Sequence, residues 1–417
     1  MNIIEKAEIV LKNYVCDHCL GRQFGQLLSG HDNSHRGRIV RSLVAMSIDK
    51  EKLEVREQHL DMLNFTGFKF HFLEIDIQDL KHKILKRKCN ICNDVFKNLD
   101  EYADVIVKSL KGIEFKTFLV GTHLSHDLNN REEMLWEYAG IDFCEPIKAE
   151  LNREIGKILE KKLKKKANVK APDVAVLLDM QNKKAKIQIN PIFIYAEYQK
   201  LVRGIPQTKW PDKRFKTSVE EIVAKPYMAV SHASGHKLHG LGREDIDARC
   251  LGWRPFVLEL LEPMKRSMNI KSLAKKIGKQ VRVRNIRFSS IVEVRKIKES
   301  RACKTYRCLV VCDSAVKKED LQKLKQIGEI FQRTPTRVMN RRADIRRKRR
   351  VHSIKTMFRN NKLFELTVKT EAGLYVKELI SGDDGRTNPS ISGILGVQCK
   401  CKDLDVIQID NIKTEKK

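Results

Sequence analysis

Apolar residues recur along the chain with two periods, and each period predicts a different kind of element. Residues 2–14 place their apolar side chains on one face of a helix, and residues 151–163 repeat that spacing over a longer helix. Short apolar or alternating runs predict strands at 118–120, 173–180, 186–189, 281–294, 306–312 and 363–370. Residues 319–330 are predicted to form a further short helical stretch. Because helices and strands are interspersed, the pattern predicts an α+β fold.

The chain is long enough for more than one domain. Its 417 residues suffice for two or three domains, each with its own core. Residues 191–210 join the two halves, so we place the domains at 1–190 and 191–417. This joining segment interleaves aromatic residues with cations, namely Tyr195, Tyr198, Lys200, Arg203, Lys209 and Trp210. The mixture suits stacking on unpaired bases and contact with phosphate, and packing between domains explains it equally well.

The net charge is strongly positive, with 82 Lys and Arg against 53 Asp and Glu and a formal charge of +29. Such a balance indicates a polyanionic partner, and nucleic acid is the leading candidate. A membrane surface is the competing anion, but no apolar run approaches the roughly 20 residues that span a bilayer. The N-terminus also lacks a signal-peptide pattern. We therefore expect a soluble, cytoplasmic protein with no membrane partner.

Two basic segments are candidates for contact with RNA. Residues 332–350 contain eight arginines and one lysine, and arginine forks suit phosphate groups. A nuclear localisation signal or a disordered tail is the rival interpretation, but strands resume after the run and Pro335 favours an ordered loop. The second segment, residues 161–170, lies at the end of a predicted helix. It is either an RNA contact or a solvated helix end.

Four of the 11 cysteines form two Cys-x-x-Cys pairs, Cys16 with Cys19 and Cys89 with Cys92. Together they can supply the four thiolates of a tetrahedral zinc site, and His18 is a possible substitute ligand. A single pair could be a redox pair or an accident, but two pairs in an intracellular chain favour structural zinc. The remaining cysteines are interpreted as core or incidental residues, namely Cys144, Cys250, Cys303, Cys308, Cys312, Cys399 and Cys401.

The least ordinary stretch, residues 232–260, combines glycines with a cluster of acids. Gly240 and Gly242 flank a bend where the backbone can take positive φ, and Glu244, Asp245 and Asp247 follow directly. Neighbouring arginines favour an ionised carboxylate, which can act as a nucleophile or base. Turn residues that form local salt bridges are the alternative interpretation.

Residues 242–260, GREDIDARCLGWRPFVLEL, resemble the signature of the archaeal-type tRNA pseudouridine synthases that modify the T arm. The shorter Gly-Arg-Glu-Asp is similar to the Gly-Arg-x-Asp of other pseudouridine synthases. This resemblance implies that Asp245 is the catalytic aspartate. Asp247 is the fallback, since two residues further along an extended segment it would face the same way.

Other motifs extend the resemblance over nearly the whole chain. CDHCLGRQFG and KCNIC are similar to the family's zinc-binding motifs, which hold the metal through four cysteines. FLVGTHLSHDLNN looks like part of a THUMP domain, an RNA-binding module of tRNA-modifying enzymes. The resemblance therefore implies an N-terminal zinc-binding and THUMP-containing RNA-binding domain. It implies a pseudouridine synthase catalytic domain with a mixed sheet in the C-terminal half.

The resemblance also implies further site residues. In EAGLYVKELISGDDGRTNPS, Lys377 would be the basic residue placed against the catalytic aspartate. Tyr306, in the segment KTYR, would stack on the target base, although an ordinary strand tyrosine is the alternative. Arg243, Leu374 and Arg386 are further substrate-binding candidates.

The implied reaction converts uridine to pseudouridine in the T arm of tRNA, at positions 54 and 55. The enzyme is expected to be a monomer with structural Zn²⁺ and no organic cofactor, and the sequence contains no Walker-type phosphate loop. Two other classes stay open from the residues alone. One is a metal-dependent nuclease that uses Glu244, Asp245 and Asp247 around Mg²⁺, and the other is a non-catalytic RNA-binding protein.

Overall fold

The computed structural model describes residues 1–50, 87–210 and 214–410. Contacts within the chain divide it into two compact units, Met1–Asn190 and Pro191–Lys417. Each unit buries a hydrophobic core of its own. None of the described helices has the length and apolar character needed to cross a bilayer.

The first unit combines helices with a four-stranded sheet. Its helices are α1 (Ile3–Leu11), α2 (Asp17–Gly21), α3 (Asn33–Lys50), α4 (Leu99–Ser109), α5 (His126–Ala139) and α6 (Ile147–Leu163). Its strands are β1 (Thr117–His123), β2 (Lys166–Ala167), β3 (Val174–Asp179) and β4 (Lys184–Ile189). The sheet order is β2-β1-β3-β4, in which β1 is parallel to β2 and β3, and β4 is antiparallel to β3.

Helices α1 and α6 and strands β1, β3 and β4 match the predicted elements of this unit within a few residues. Helix α5 was not predicted, because its sequence has only a weak apolar stripe. Of its buried residues Glu132, Leu135 and Ala139, one is an acid. A periodicity argument counts such a residue as solvent-facing.

The second unit is built on one large sheet. Its strands are β5 (Ile192–Lys200), β6 (Gly235–Gly240), β7 (Arg249–Leu261), β8 (Val281–Ser289), β9 (Lys304–Cys312), β10 (Glu329–Gln332), β11 (Arg347–Asn360), β12 (Leu363–Thr370), β13 (Thr387–Asn388) and β14 (Cys399–Ile409). Its helices are α7 (Val219–Ser231), α8 (Ile270–Ala274), α9 (Ile291–Glu299), α10 (Val376–Ser381) and α11 (Ile391–Leu395).

The sheet order is β13-β10-β11-β12-β9-β14-β7-β5-β8, and β6 pairs with β7. Strand β14 runs parallel to β7, whereas its pairing with β9 is antiparallel. The sheet is therefore mixed, and the predicted α+β fold is confirmed. Because β12 is antiparallel to both β9 and β11, the first residues of β9 and β11 lie beside the last residues of β12. The site described below lies at this end of the three strands.

The strand predicted at 281–294 is wrong in its second half. Strand β8 ends at Ser289, and α9 begins two residues later. Val294 and Ile297 are buried on α9, with a spacing of three residues that only a helix brings to one face. The apolar pattern of this segment fits both periods, so packing decides between them.

The helix predicted at 319–330 is also only partly present. Residues Asp320–Gln326 form a 3₁₀ turn, in which Leu321 and Leu324 are buried. Gly328 follows, and β10 begins at Glu329. A three-residue spacing fits the 3₁₀ helix as well as the α-helix, and for that reason the sequence pattern did not distinguish them.

Candidate active site

A cavity of about 1000 Å³ opens in the second unit at the end of the sheet where β9 and β11 begin. Its walls come from the loop 241–248, β9, the 3₁₀ turn Thr336–Arg341, β11 and the segment that leads into α10. Several residues proposed from the sequence line this cavity, namely Arg243, Asp245, Asp247, Tyr306, Leu374 and Lys377. The topology thus brings together residues that are far apart in the sequence.

The loop 241–248 is held in place by a buried lysine. The ammonium of Lys200 donates to the carbonyl oxygens of Asp245 at 3.1 Å and Ile246 at 3.2 Å. Gly242 has a φ of +70°, which residues with a side chain rarely adopt. A Cβ at this position would lie 3.4 Å from Arg254 Nη1. Glycine therefore suits both the conformation and the close approach.

The mixed aromatic and cationic residues of 191–210 mostly support this loop. Tyr198 and Lys200 are fully buried, so their interpretation as RNA contacts is wrong. Arg203 donates to the carbonyl of Asp247 at 2.8 Å and to the carboxylate of Asp405 at 2.7 Å. Trp210 is different, because it lines the cavity. Period-2 alternation along β5 accounts for the burial of Tyr198 and Lys200.

Glu244 is part of the core and not a partner of the two aspartates. Its side chain is fully buried, with Oε2 3.0 Å from Arg254 Nε and accepting from the Tyr198 hydroxyl at 2.9 Å. Such a pair is stable only while each buried charge compensates the other. Glu244 thus forms a buried ion pair with Arg254. The Mg²⁺ site of three carboxylates that was considered from the sequence is therefore not formed.

Lys377, at the start of α10, reaches both aspartates of the loop. Its Nζ lies 2.9 Å and 2.7 Å from the two carboxylate oxygens of Asp247 and 3.4 Å from Oδ2 of Asp245. Burial opposes the charge of Lys377, but the hydrogen bond to Asp247 and the charges of Asp245 and Asp247 outweigh it and raise the Lys377 pKa. Asp245 therefore faces a cation that stays charged at neutral pH.

Arg337 is a second cation that contacts the carboxylate of Asp245, and the sequence did not indicate it as a site residue. Its Nη1 lies 3.4 Å from Asp245 Oδ1 and its Nη2 lies 3.4 Å from Oδ2. Its Nε donates to Glu378 Oε1 at 2.7 Å. Burial opposes the charge, but the hydrogen bond that Arg337 donates to Glu378 and the charges of Glu378 and Asp245 raise the Arg337 pKa. Among eight arginines in one run, no sequence signal marks the one that meets a carboxylate.

Tyr306 and Leu374 make one part of the cavity less polar. Burial raises the pKa of Tyr306 to about 12, so its phenol ring is neutral at physiological pH. Leu374 is buried just before α10. A neutral aromatic ring beside an apolar side chain suits contact with an uncharged base.

Arg243 lies where the cavity meets solvent, beside an aromatic ring. Its side chain is exposed, and its Cζ lies 5.9 Å from the ring centroid of Trp210. Arg214 Cζ lies 5.7 Å from the same ring. Cations over an indole form a surface that suits a phosphate or a base.

Arg386 does not line the cavity but fixes the arginine-rich segment. Its guanidinium donates to the carbonyl of Thr334 at 2.8 Å and 3.1 Å and to the carboxylate of Asp344. The backbone N–H of Thr336 donates to Asp383 Oδ2 at 2.9 Å. Arg386 and Asp383 thus hold the loop that carries Arg337. The structure gives Arg386 this role and no contact with the cavity.

The cavity carries a large excess of positive charge. Its further cations are Arg243, Lys298, Lys304, Arg342, Arg347 and Arg349. Lys304 is buried, and burial together with the charge of Arg254 lowers its pKa to about 8. Of the described residues that line the cavity, Asp245 and Asp247 alone place accessible carboxylates among these cations. Such a site favours a polyanion.

A second candidate site lies in the first unit, where the two cysteine pairs meet. The Sγ atoms of Cys16, Cys19, Cys89 and Cys92 all lie within 4.8 Å of one another. The distance between the Sγ atoms of Cys16 and Cys92 is 3.6 Å. A tetrahedron of Zn–S bonds has sulfur atoms about 3.8 Å apart, so the cluster can hold a metal ion of this kind. Among the described residues, no other group of three or more His, Cys, Asp or Glu side chains could hold a metal ion in this way.

Two side chains beside the cluster are fixed by acids. Arg22 is fully buried, and it donates from Nη1 to Cys19 Sγ at 2.8 Å and from Nε to Glu132 at 3.0 Å. His18, which the sequence offered as a substitute ligand, bonds through Nδ1 to Glu150 at 2.7 Å. A guanidinium next to a thiolate offsets part of its negative charge and orients it.

Comparison with known families covers both units. Residues 193–410 match the family model described as "Pus10, C-terminal", and residues 102–179 match "Pus10 THUMP domain, archaeal". The chain belongs to the Pus10 family. Within Pus10, the first match includes the whole cavity and the second includes most of the sheet of the first unit. The predicted THUMP domain is thereby confirmed.

Two relatives in the family match over nearly their full length. The tRNA pseudouridine synthase Pus10 of Pyrococcus furiosus is 38% identical over 415 residues, which cover 98% of this chain and 98% of that protein. The tRNA pseudouridine synthase Pus10 of Methanocaldococcus jannaschii is 39% identical over 439 residues, with coverage of 98% and 95%. Among solved structures, a chain of a Cbf5-Nop10-Gar1 complex is similar over 52% of this chain and 50% of its own, at 20% identity and a TM-score of 0.32.

Proposed function

We propose that this Pus10 protein is a tRNA pseudouridine synthase that isomerises uridine in the T arm, at positions 54 and 55. The observation that carries the proposal is the placement of Asp245 in a strongly basic cavity, with Lys377 and Arg337 both 3.4 Å from its carboxylate. The names of the relatives support tRNA as the substrate. The T arm is supported by the resemblance of residues 242–260 to the signature of the T-arm enzymes.

The proposed reaction is redox-neutral and exchanges one bond for another. The N1–C1′ bond breaks, the uracil rotates, a C5–C1′ bond forms, C5 loses its proton and N1 gains one, so the product is an isomer of the substrate. Asp245 begins the reaction either by attacking C1′ with a carboxylate oxygen or by removing a proton from C2′. Both routes use the carboxylate of Asp245, which lies 3.4 Å from Lys377 Nζ and from Arg337 Nη2.

The target uridine has to leave its stack before Asp245 can reach the sugar. In the proposed complex, Tyr306 stacks on the displaced base and Leu374 contacts its edge. Both side chains line the same cavity as Asp245. Arg243 and Trp210 are placed to contact a phosphate or a neighbouring base.

Binding of tRNA is proposed to involve both basic segments. Arg346 lies in the arginine-rich run, with its Cζ 4.5 Å from the ring centroid of Phe331, and Arg347 lines the cavity. In the first unit, Lys161, Lys164, Lys166 and Lys170 are exposed at and after the end of α6. Each exposed cation that meets a phosphate releases counterions and so favours binding at low salt.

The four-cysteine cluster is proposed to hold one structural Zn²⁺. Four thiolates fill a tetrahedral coordination shell and leave no position for a substrate, which is typical of structural zinc. The ion would join the start of α2 to the segment before α4 and so stabilise the first unit. The protein is further proposed to act as a monomer in the cytoplasm, where thiols stay reduced.

Release of tritium from tRNA transcripts with C5-labelled uridine tests the proposed activity. The wild-type protein is expected to release tritium in the presence of EDTA and to leave the transcript at full length on a denaturing gel. Transcripts in which cytidine replaces the uridines at T-arm positions 54 and 55 should release almost none. Cleavage that EDTA abolishes would support a nuclease, and binding without any change in the RNA would support a non-catalytic protein.

A further inference from the structure

Four charged side chains that line the cavity and one buried beside it form a row in which the signs alternate. Glu378 contacts Arg337, Arg337 contacts Asp245, Asp245 contacts Lys377 and Lys377 contacts Asp247. Helix α10 supplies two members of this row, because Lys377 and Glu378 are adjacent residues of that helix. The proposed catalytic carboxylate lies at the centre, between two cations.

The two cations differ in how they meet Asp245. Lys377 is a single point charge, and its shorter contacts are to Asp247. Arg337 presents two nitrogens, and each lies 3.4 Å from a different oxygen of Asp245. A fork that faces both oxygens fixes the plane of a carboxylate, whereas a shared ammonium does not.

The guanidinium of Arg337 is itself fixed by a buried acid. Arg337 Nε donates to Glu378 at 2.7 Å, and the Glu378 side chain is only 6% exposed. The 3.4 Å contacts to Asp245 are longer than the 2.7–2.9 Å typical of a charge-assisted hydrogen bond. The two contacts face both oxygens of Asp245, and its side chain stays partly exposed, so a sugar can still reach the carboxylate.

We propose that Arg337 is a positioning residue that orients Asp245 and is itself aligned by Glu378. The inference rests on the proposed function and adds to it a role for one arginine of the segment 332–350. Arg337 belongs to the 3₁₀ turn Thr336–Arg341, which Asp383 anchors through the N–H of Thr336. The turn thus fixes the backbone, and Glu378 fixes the side chain.

Single-turnover kinetics with enzyme in excess separate orientation from binding. Arg337→Gln is expected to lower the saturating rate of tritium release on the order of 100-fold, because misplacement of a reacting group by about 1 Å has an effect of that size. The tRNA concentration that gives half of the maximal rate should change much less. Arg337→Lys keeps the charge but offers only one nitrogen, so it should bind tRNA like the wild type without restoring the rate.

Two further variants keep the test independent of folding defects in any one protein. Glu378→Gln should lower the saturating rate in the same direction, and the Arg337→Gln/Glu378→Gln double variant should be no slower than Arg337→Gln alone. Arg359→Gln is the matched control, because Arg359 pairs with Glu365 at 3.3 Å on β11 and β12 outside the cavity. It should change neither parameter.

The outcomes distinguish this inference from the proposed function. If the wild-type protein releases no tritium from tRNA, the proposed function fails. If the wild-type protein is active and Arg337→Gln changes only the affinity, Arg337 is a phosphate contact and the positioning role is wrong. Full restoration of the rate by Arg337→Lys would also overturn it, because charge alone would then suffice.

Discussion

Lys377 lies closer to Asp247 than to Asp245, with Nζ–Oδ2 distances of 2.7 Å and 3.4 Å. The side chain of Asp247 is 69% exposed and that of Asp245 is 33% exposed. Partial burial opposes the charge of Asp247, but the hydrogen bond and the charge of Lys377 lower the Asp247 pKa. The more exposed aspartate thus holds the lysine beside the less exposed one, and substitution can separate the two roles.

Asp245→Asn should abolish pseudouridine formation and leave tRNA binding nearly intact. The amide keeps the shape of the side chain and removes the charge that both chemical routes use, so the rate should fall by several orders of magnitude. Asp247→Asn should cost far less, because that carboxylate only positions Lys377. Tritium release and filter binding, both measured in EDTA, give the two quantities for each variant.

Lys377→Met is the companion variant for this prediction. It removes one of the two cations that face Asp245, so turnover should suffer more than tRNA affinity. Substantial tritium release by Asp245→Asn would overturn the assignment of the catalytic aspartate and favour Asp247. A requirement for Mg²⁺ that EDTA exposes would instead favour metal-dependent chemistry.

The sequence predicted the members of the site better than their contacts. Asp245, Tyr306 and Lys377 were found through motifs, and the sheet brings all three to one cavity. Glu244 could not be excluded from the acidic cluster, because only the fold shows that Arg254 pairs with it in the core. Arg386 was expected at the site, but the loop that it binds brings Arg337 there instead.

The bounds of an element could be predicted where its apolar residues follow a single period. Strand β12 has the predicted bounds, because Leu363–Thr370 alternates half-buried and buried residues without interruption. The segment after Ser289 could not be predicted in the same way, since its valines and isoleucines suit a strand by propensity and a helix by spacing. Burial of Val294 and Ile297 against the sheet selects the helix.

Charge reversal in the arginine-rich run should weaken tRNA binding and reduce its dependence on salt. Arg346→Glu/Arg347→Glu removes two cations that are proposed to contact phosphate, so the slope of log K against log [salt] should become shallower by roughly one to two units. Fluorescence anisotropy at a series of KCl concentrations measures this slope. Arg359→Glu is the control outside the cavity. An unchanged slope in the double variant would mean that the run does not face RNA.

Removal of two zinc ligands should destabilise the first unit. The purified protein is expected to contain about one Zn²⁺ per chain, and Cys89→Ser/Cys92→Ser should contain almost none, because two thiolates cannot complete the tetrahedral shell. Metal analysis and thermal unfolding measure the two effects. Cys303→Ser, at a partly exposed thiol outside the cluster, should retain both metal and stability. Absence of zinc from the wild-type protein would refute the site.

Lys304 is a cation whose charged form is disfavoured by burial. It is 8% exposed, and burial together with the charge of Arg254 lowers its pKa from 10.5 to about 8. Between these pH values the unfolded chain binds more protons than the folded chain, so Lys304 makes stability rise with pH. Lys304→Met should therefore raise the free energy of unfolding below pH 8, by about 3 kcal/mol at most, and this advantage should vanish near pH 10.5. Urea unfolding at several pH values measures the difference, with the exposed Lys323→Met as control. A difference independent of pH would contradict the lowered pKa.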